Sequence, residues 1–226
     1  MKLSRRAVMA GAASLPLMSS PVFAQGAEAQ RRFEIYRGST KIGEQVVAIA
    51  QSASGLKVDI DIDIKVKLFG FDAYSYSMMN RETWVDGEVA SIHSRTQENG
   101  DSFRVDAERA PDGLDVDASK FTGLVTGSIA TTTYWHPVFL ERPVWISTQD
   151  GSQFDVNARR DAVTTFETPV GAFDATRYAV VGDIDLNLYY DPSGEWVGST
   201  FEARGQTARI VTQDPDVSLT RLWDTA

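Results

Sequence analysis

Few side chains in this 226-residue chain could carry chemistry. It has two histidines, His93 and His136, and no cysteine. That excludes thiol nucleophiles, thiolate metal sites and disulfides together. His136, between Trp135 and Pro137, is the better candidate for a general acid or base, with Asp86, Asp183 or Asp191 as the carboxylate that would orient it. Such a pair would serve a hydrolase or an isomerase. The competing reading is an imidazole satisfied by a backbone carbonyl at a helix start. His93 lies in a strand of mixed polar residues and reads as a surface side chain. No His-Glu-x-x-His, Gly-x-Ser-x-Gly or phosphate-binding glycine loop occurs.

The acidic runs Asp59-Ile-Asp61-Ile-Asp63 and Asp183-Ile-Asp185-Leu-Asn187 imitate the start of a calcium loop. Each lacks the turn glycine and the bidentate glutamate of a working loop, with Ile64 or Leu188 and then Gly70 or Gly194 in those places. They read as solvated strand faces, and no metal or cofactor is expected. The aromatics are the stronger signal. Trp84, Tyr134, Trp135, Tyr189 and Tyr190 are the ligand-binding candidates, with Tyr178 and Trp196 nearby in the pattern. Facing one concavity they would make an apolar pocket with polar tips. Otherwise they are core and cross-strand pairs.

The elements that must position these residues are strands. From Leu56 to Leu68 every even position is aliphatic and every odd one is charged. A period of two gives one apolar and one charged face, whereas a helical period would smear the aliphatics around the cylinder. Turns at Asp86-Gly87, Asn99-Gly100, Asp112-Gly113 and Asp191-Pro-Ser-Gly194 separate further alternating segments, the mark of antiparallel hairpins. Between Phe121 and Arg142 alternation stops. Thr131 to Leu140 offers threonine caps and apolar spacing for one short helix or 3₁₀ turn, with Pro137 confined to its first turn. The spacing predicts an all-β fold, a large curled antiparallel sheet or incomplete β-barrel of about twelve strands.

Met1 to Ala24 reads as a cleavable signal peptide. Lys2, Arg5 and Arg6 precede a weakly apolar stretch, and Val22 and Ala24 fit the cleavage site. Ser4-Arg5-Arg6-Ala7-Val8-Met9 resembles the twin-arginine export motif. The apolar run falls short of the ~20 residues of a membrane span. Residues 25–226 then form one domain, in the periplasm, with no transmembrane segment after processing. Three of the 22 basic residues and none of the 31 acidic ones fall in the signal, which leaves a formal charge of −12. This excludes nucleic-acid binding and adhesion to anionic lipid, both of which need clustered Lys and Arg.

Ile42-Gly43, Glu82-x-Trp84-x-Asp86-Gly87, Thr96 with Asn99-Gly100, Tyr134-Trp135-His136, and Tyr178 with Gly182-Asp183 and Tyr189-Tyr190-Asp191 occur in that order. In this the chain resembles a family of exported bacterial proteins known as a domain of unknown function, over most of its mature length. The family's usual Trp-Tyr-Asp stands here as Tyr189-Tyr190-Asp191 and its Trp-Asn as Trp135-His136, so the resemblance does not imply a required histidine. It implies an antiparallel β-rich periplasmic domain and no known activity. The leading expectation is a non-enzymatic protein that holds a lipid-like or other apolar small molecule, or part of an envelope protein, against Trp84, Trp135, Tyr189 and Tyr190. The alternatives are the His136 enzyme and a structural or assembly role.

Overall fold

The computed structural model describes residues 29–68, 71–203 and 205–225. The expected signal, residues 1–24, lies outside them. Fifteen strands form one sheet. They are β1 (Ala29–Arg37), β2 (Thr40–Ser52), β3 (Gly55–Leu68), β4 (Phe71–Val85), β5 (Glu88–Glu98), β6 (Asp101–Ala110), β7 (Gly113–Ala118) and β8 (Thr122–Val125), then β9 (Ile129–Thr131), β10 (Val144–Ile146), β11 (Gln153–Thr168), β12 (Gly171–Gly182), β13 (Leu186–Tyr190), β14 (Trp196–Ala203) and β15 (Gln206–Thr212). The count exceeds the expected twelve in part because β8 and β9 are four and three residues long, too short for a period of two to show.

The sheet runs in the order β8-β7-β6-β5-β4-β3-β2-β1-β15-β14-β13-β12-β11-β10-β9. Its ladders are antiparallel except the β9–β10 pair, which is parallel. The expected short helix is a 3₁₀ turn at Pro137–Glu141 with Pro137 in its first turn. Its N-cap is His136, not a threonine. A second 3₁₀ turn, Thr220–Thr225, was not expected from the sequence.

The sheet rolls up without closing. Register shifts at Ile35/Tyr36, Thr83/Trp84 and Tyr189/Tyr190 bend the strands. Within the strands, two glycines permit close backbone approaches. A Cβ at Gly43 would lie 2.3 Å from the Asp63 carbonyl oxygen, and one at Gly198 2.2 Å from that of Ile210. The β9 end tucks inside the roll: Thr131 and Thr133 reach Glu82 on β4, and Gly151, just after β10, presses against Ala118 of β7. Lys120 N–H donates to the Asp150 carbonyl at 2.9 Å and the Gln149 amide to Glu98 at 3.0 Å across the seam.

One end of the roll is plugged. Leu56, Trp84, Trp135, Phe139, Trp145 and Trp196 are buried there. Trp84 stacks on Phe139 with centroids 4.9 Å apart, and Phe33 lies 4.3 Å from Trp196. The plug is latched by Arg31, which is fully buried on β1. Its guanidinium donates to the carbonyls of Trp196 (2.8 Å), Pro215 (3.1 Å) and Val217 and lies 3.7 Å from Glu195. Glu195 accepts from the backbone N–H of Leu219 (3.0 Å) and Thr220 (3.1 Å) and from the Ser218 and Thr220 hydroxyls, both at 2.6 Å. One carboxylate thus caps the last 3₁₀ turn and balances the buried cation.

Glu195→Ala leaves Arg31 buried without its anion. It is expected to cost about 3–5 kcal/mol, measured by urea unfolding. The double variant Arg31→Met/Glu195→Met should lose less than Glu195→Ala, since no charge is then stranded. A double variant less stable than the single one would show that the latch acts through something other than charge balance.

Candidate functional site

The inner face changes character along the strands. On β3, Leu56, Val58 and Ile60 are buried against the plug, whereas Ile62, Ile64 and Val66, of the same parity, are only half-buried. Ile62 and Ile64 face a lumen of about 470 Å³ that opens at the end opposite the plug. Ile35, Ile210, Phe201, Phe154 and Tyr134 complete its apolar wall. A second concavity of about 240 Å³ shares Ile35, Ile64 and Phe201 and carries the wall outward past Val66, Ala73 and Ala208. Alternation built this wall: each strand sends every second side chain inward.

Polar groups on the wall divide into two sets. Deep in the lumen are uncharged ones, Gln45, Thr132, Ser147, Thr148 and Ser199. Toward the mouth are Asp185 and Glu202, then Glu98 and Arg37. Glu98 accepts from the Tyr74 hydroxyl at 3.0 Å as well as from Gln149, and Glu202 accepts from Thr207 at 2.7 Å.

The five aromatic candidates do not converge on the lumen. Tyr134 lines it. Tyr190 is buried beside it and donates its hydroxyl to the Tyr134 carbonyl at 2.6 Å. Burial pushes the Tyr190 phenol well up. Trp84 and Trp135 lie in the plug at 1% and 0% exposure. Tyr189 points to the outer face, stacked on Phe166 at 4.3 Å in a separate small cluster with Val197 and Val211. Adjacent residues of a strand face opposite ways, so Tyr189 and Tyr190 cannot share a pocket.

His136 is a cap: its Nδ1 accepts the Val138 N–H at 3.2 Å, and its ring stacks on Trp223 at 4.4 Å. Asp191 accepts from Ser193 N–H (2.8 Å), Ser193 hydroxyl (2.6 Å) and Glu195 N–H (3.0 Å), holding the β13–β14 turn. Asp183 accepts the Asp155 N–H at 2.8 Å. Asp86 occupies the β4–β5 turn at φ 52°. These three carboxylates thus sit in three different connections. His93 is on the surface, between Asp106 and Glu108 at 3.2 Å each. Among the described residues no group of three His, Asp or Glu side chains could hold a metal ion.

Comparison with known proteins places this architecture. A family profile described as a domain of unknown function, DUF6134, matches residues 33–213. The chain belongs to DUF6134. A search of curated proteins returns no match. Among solved structures, the crystal structure of a beta-barrel-like protein of domain of unknown function DUF1849 from Brucella abortus is similar with a TM-score of 0.51 and 14% identity, covering 81% of this chain and 94% of that one. It supports the nearly closed, barrel-like all-β fold. No activity comes with either likeness.

Sequence reasoning missed the lumen wall itself, Ile35, Ile62, Ile64, Phe201 and Ile210, because its parity is that of the core. It also missed Glu82, the first residue of the Glu-x-Trp motif. Glu82 is fully buried and faces inward with Trp84, accepting from Trp84 Nε1 at 2.8 Å and Asn80 Nδ2 at 3.0 Å, with Thr131 and Thr133 alongside. Desolvation holds its carboxyl above the ordinary 4.5, against the pull of those donors. The folded chain therefore keeps a proton that the unfolded chain releases, and stability falls as pH rises above about 4.5. Glu82→Gln should flatten that fall and leave the protein at least as stable at neutral pH. Urea midpoints at intervals from about pH 4 to 8 test this, and parallel profiles for variant and parent would refute it.

Proposed function

We propose that this DUF6134 protein binds an apolar or amphipathic small molecule in the lumen of its rolled sheet, without catalysis. The supporting observation is the half-buried aliphatic wall around about 470 Å³ of open lumen, within the ~300–1,000 Å³ typical of small-molecule sites. Side chains such as Ile62 and Ile64 could have been polar at no cost to the ladder. They are instead apolar and left partly exposed, which is costly unless something covers them. The ligand site of this reading is centred on Ile35, Ile64, Phe201, Ile210 and Tyr134, with Trp84, Trp135 and Tyr190 as its support. Tyr189 plays no part in it.

The enzyme reading has less support. His136 spends Nδ1 on a backbone N–H, and Asp183 and Asp191 spend oxygens on turns. We also propose that residues 1–24 export the chain by the twin-arginine route and that the protein works in the periplasm. Among the described residues no helix is long and apolar enough to cross a membrane. The outward side chains of β3, Lys57, Asp59, Asp61, Asp63, Lys65 and Lys67, are the opposite of the apolar band a lipid-facing strand presents.

The test is titration of the mature protein with the neutral probe N-phenyl-1-naphthylamine, whose emission rises in apolar surroundings, alongside native mass spectrometry of protein purified from a bacterial periplasm. Ile64→Asp, which puts a charge on the wall, should weaken probe binding by about tenfold or more. Met79→Asp, on the outer surface at 67% exposure, should not. Equal loss in both variants, or no probe binding by the parent, would overturn the lumen as a binding site.

A further inference from the structure

The distribution of polar groups within the lumen says what kind of molecule it takes and which way round. This rests on the reading of the lumen as a ligand site. We propose that the ligand enters with an uncharged hydrogen-bonding group, a hydroxyl, ester or amide, leading toward the plug, that its apolar body lies along the wall, and that carboxylate amphiphiles are rejected.

Ser199 carries the argument. On β14 the inward positions rise from Trp196 in the plug through Ser199 to Phe201 near the mouth. Ser199 is 1% exposed, lines the lumen, and its hydroxyl has no hydrogen-bond partner. A buried hydroxyl without a partner costs about 1–3 kcal/mol. Here it stands between Leu188 and Ile210 of the neighbouring strands, where an aliphatic side chain would satisfy the core. The groups at similar depth are also uncharged. Gln45, 3% exposed, projects from β2 between Phe33 and Ile62 of its neighbours. Thr148, 2% exposed, has only the weak thioether acceptor of Met78 at 3.7 Å and a long 3.4 Å contact with Thr132. These groups can both donate and accept, as a hydroxyl or amide requires.

Charge excludes the other common class of amphiphile. Among the described residues the 470 Å³ lumen carries Asp185 and Glu202 and no Lys, Arg or His; Arg37 stands farther out, in the adjoining concavity with Glu98. A fatty-acid carboxylate leading inward would lose its hydration with no cation to meet it. Leading outward, it would meet three carboxylates, Asp185, Glu202 and Glu98, against the single guanidinium of Arg37. The buried cations of the fold are committed elsewhere: Arg31 to Glu195 and three carbonyls, and Arg142 to Glu88 and the carbonyls of Gly87 and Ile129. A neutral polar end pays neither cost.

The experiment is displacement of bound N-phenyl-1-naphthylamine by 1-decanol and by decanoate at pH 8, with the mature protein and its Ser199→Ala variant. Ser199→Ala removes a hydroxyl that bonds to nothing in the fold, so it should fold with undiminished stability. We expect decanol to compete at least about tenfold better than decanoate. With each variant's own probe affinity as the reference, Ser199→Ala should weaken decanol by about threefold or more and decanoate by less. Decanoate equal to or better than decanol, or decanol binding unaltered by Ser199→Ala, would overturn the inference while leaving the lumen as an apolar site. If the probe itself does not bind, the lumen reading falls and takes the inference with it.

Discussion

The Arg31–Glu195 pair is the contact on which the closed end depends. A sheet of fifteen strands linked mostly by short turns has no intrinsic reason to stop one end from gaping, and its first and last segments are 186 residues apart in sequence where Arg31 meets Val217. Burying a guanidinium is unfavourable, and burial does lower the Arg31 pKa. It is tolerated because three carbonyls and a carboxylate converge on it, and because that carboxylate also caps the last 3₁₀ turn. The pair ties the last segment of the chain to β1. It brings Trp223 to His136 and Trp84, and so completes the aromatic plug.

With one end plugged, the alternation of the strands acquires direction. Near the plug the inward residues meet one another and form core. Farther along, the same parity has nothing opposite it, and the side chains are left lining a lumen. The lumen is therefore the unfilled part of the core, not a constellation added to the surface. This explains why its polar members are uncharged: in so apolar a setting a charge needs its own partner, as Arg31 has.

Much of the fold was legible in the sequence. The Leu56–Leu68 pattern fixed the long strand and its parity, the Asp-Gly and Asn-Gly pairs fixed the hairpins, and Pro137 marked the start of the 3₁₀ turn. β8 and β9 were not legible, being too short to show a period. The final 3₁₀ turn was hidden because its cap, Glu195, lies in the distant β13–β14 turn and not beside it. For the site, the aromatics drew attention by residue type, yet type does not tell core from pocket. Trp84 and Ile64 are both inward-facing, and only the third dimension shows that one is covered and the other is not. Tyr189 and Tyr190 were separable from the sequence, since adjacent strand residues point to opposite faces.

The seam has a mechanical consequence. In a closed barrel the strand number and shear fix the radius, and it cannot change without breaking a ladder. Here β8 and β9 are the two ends of the sheet and do not pair, so the structure is a scroll. Its bore is set by how far the inner edge overlaps the outer one, an adjustable length. Widening it would require side chains to slide and a few seam contacts, such as Lys120 with Asp150 and Gln149 with Glu98, to give way, while every β-ladder stays intact. A scroll of this kind can change its girth without losing a strand pairing.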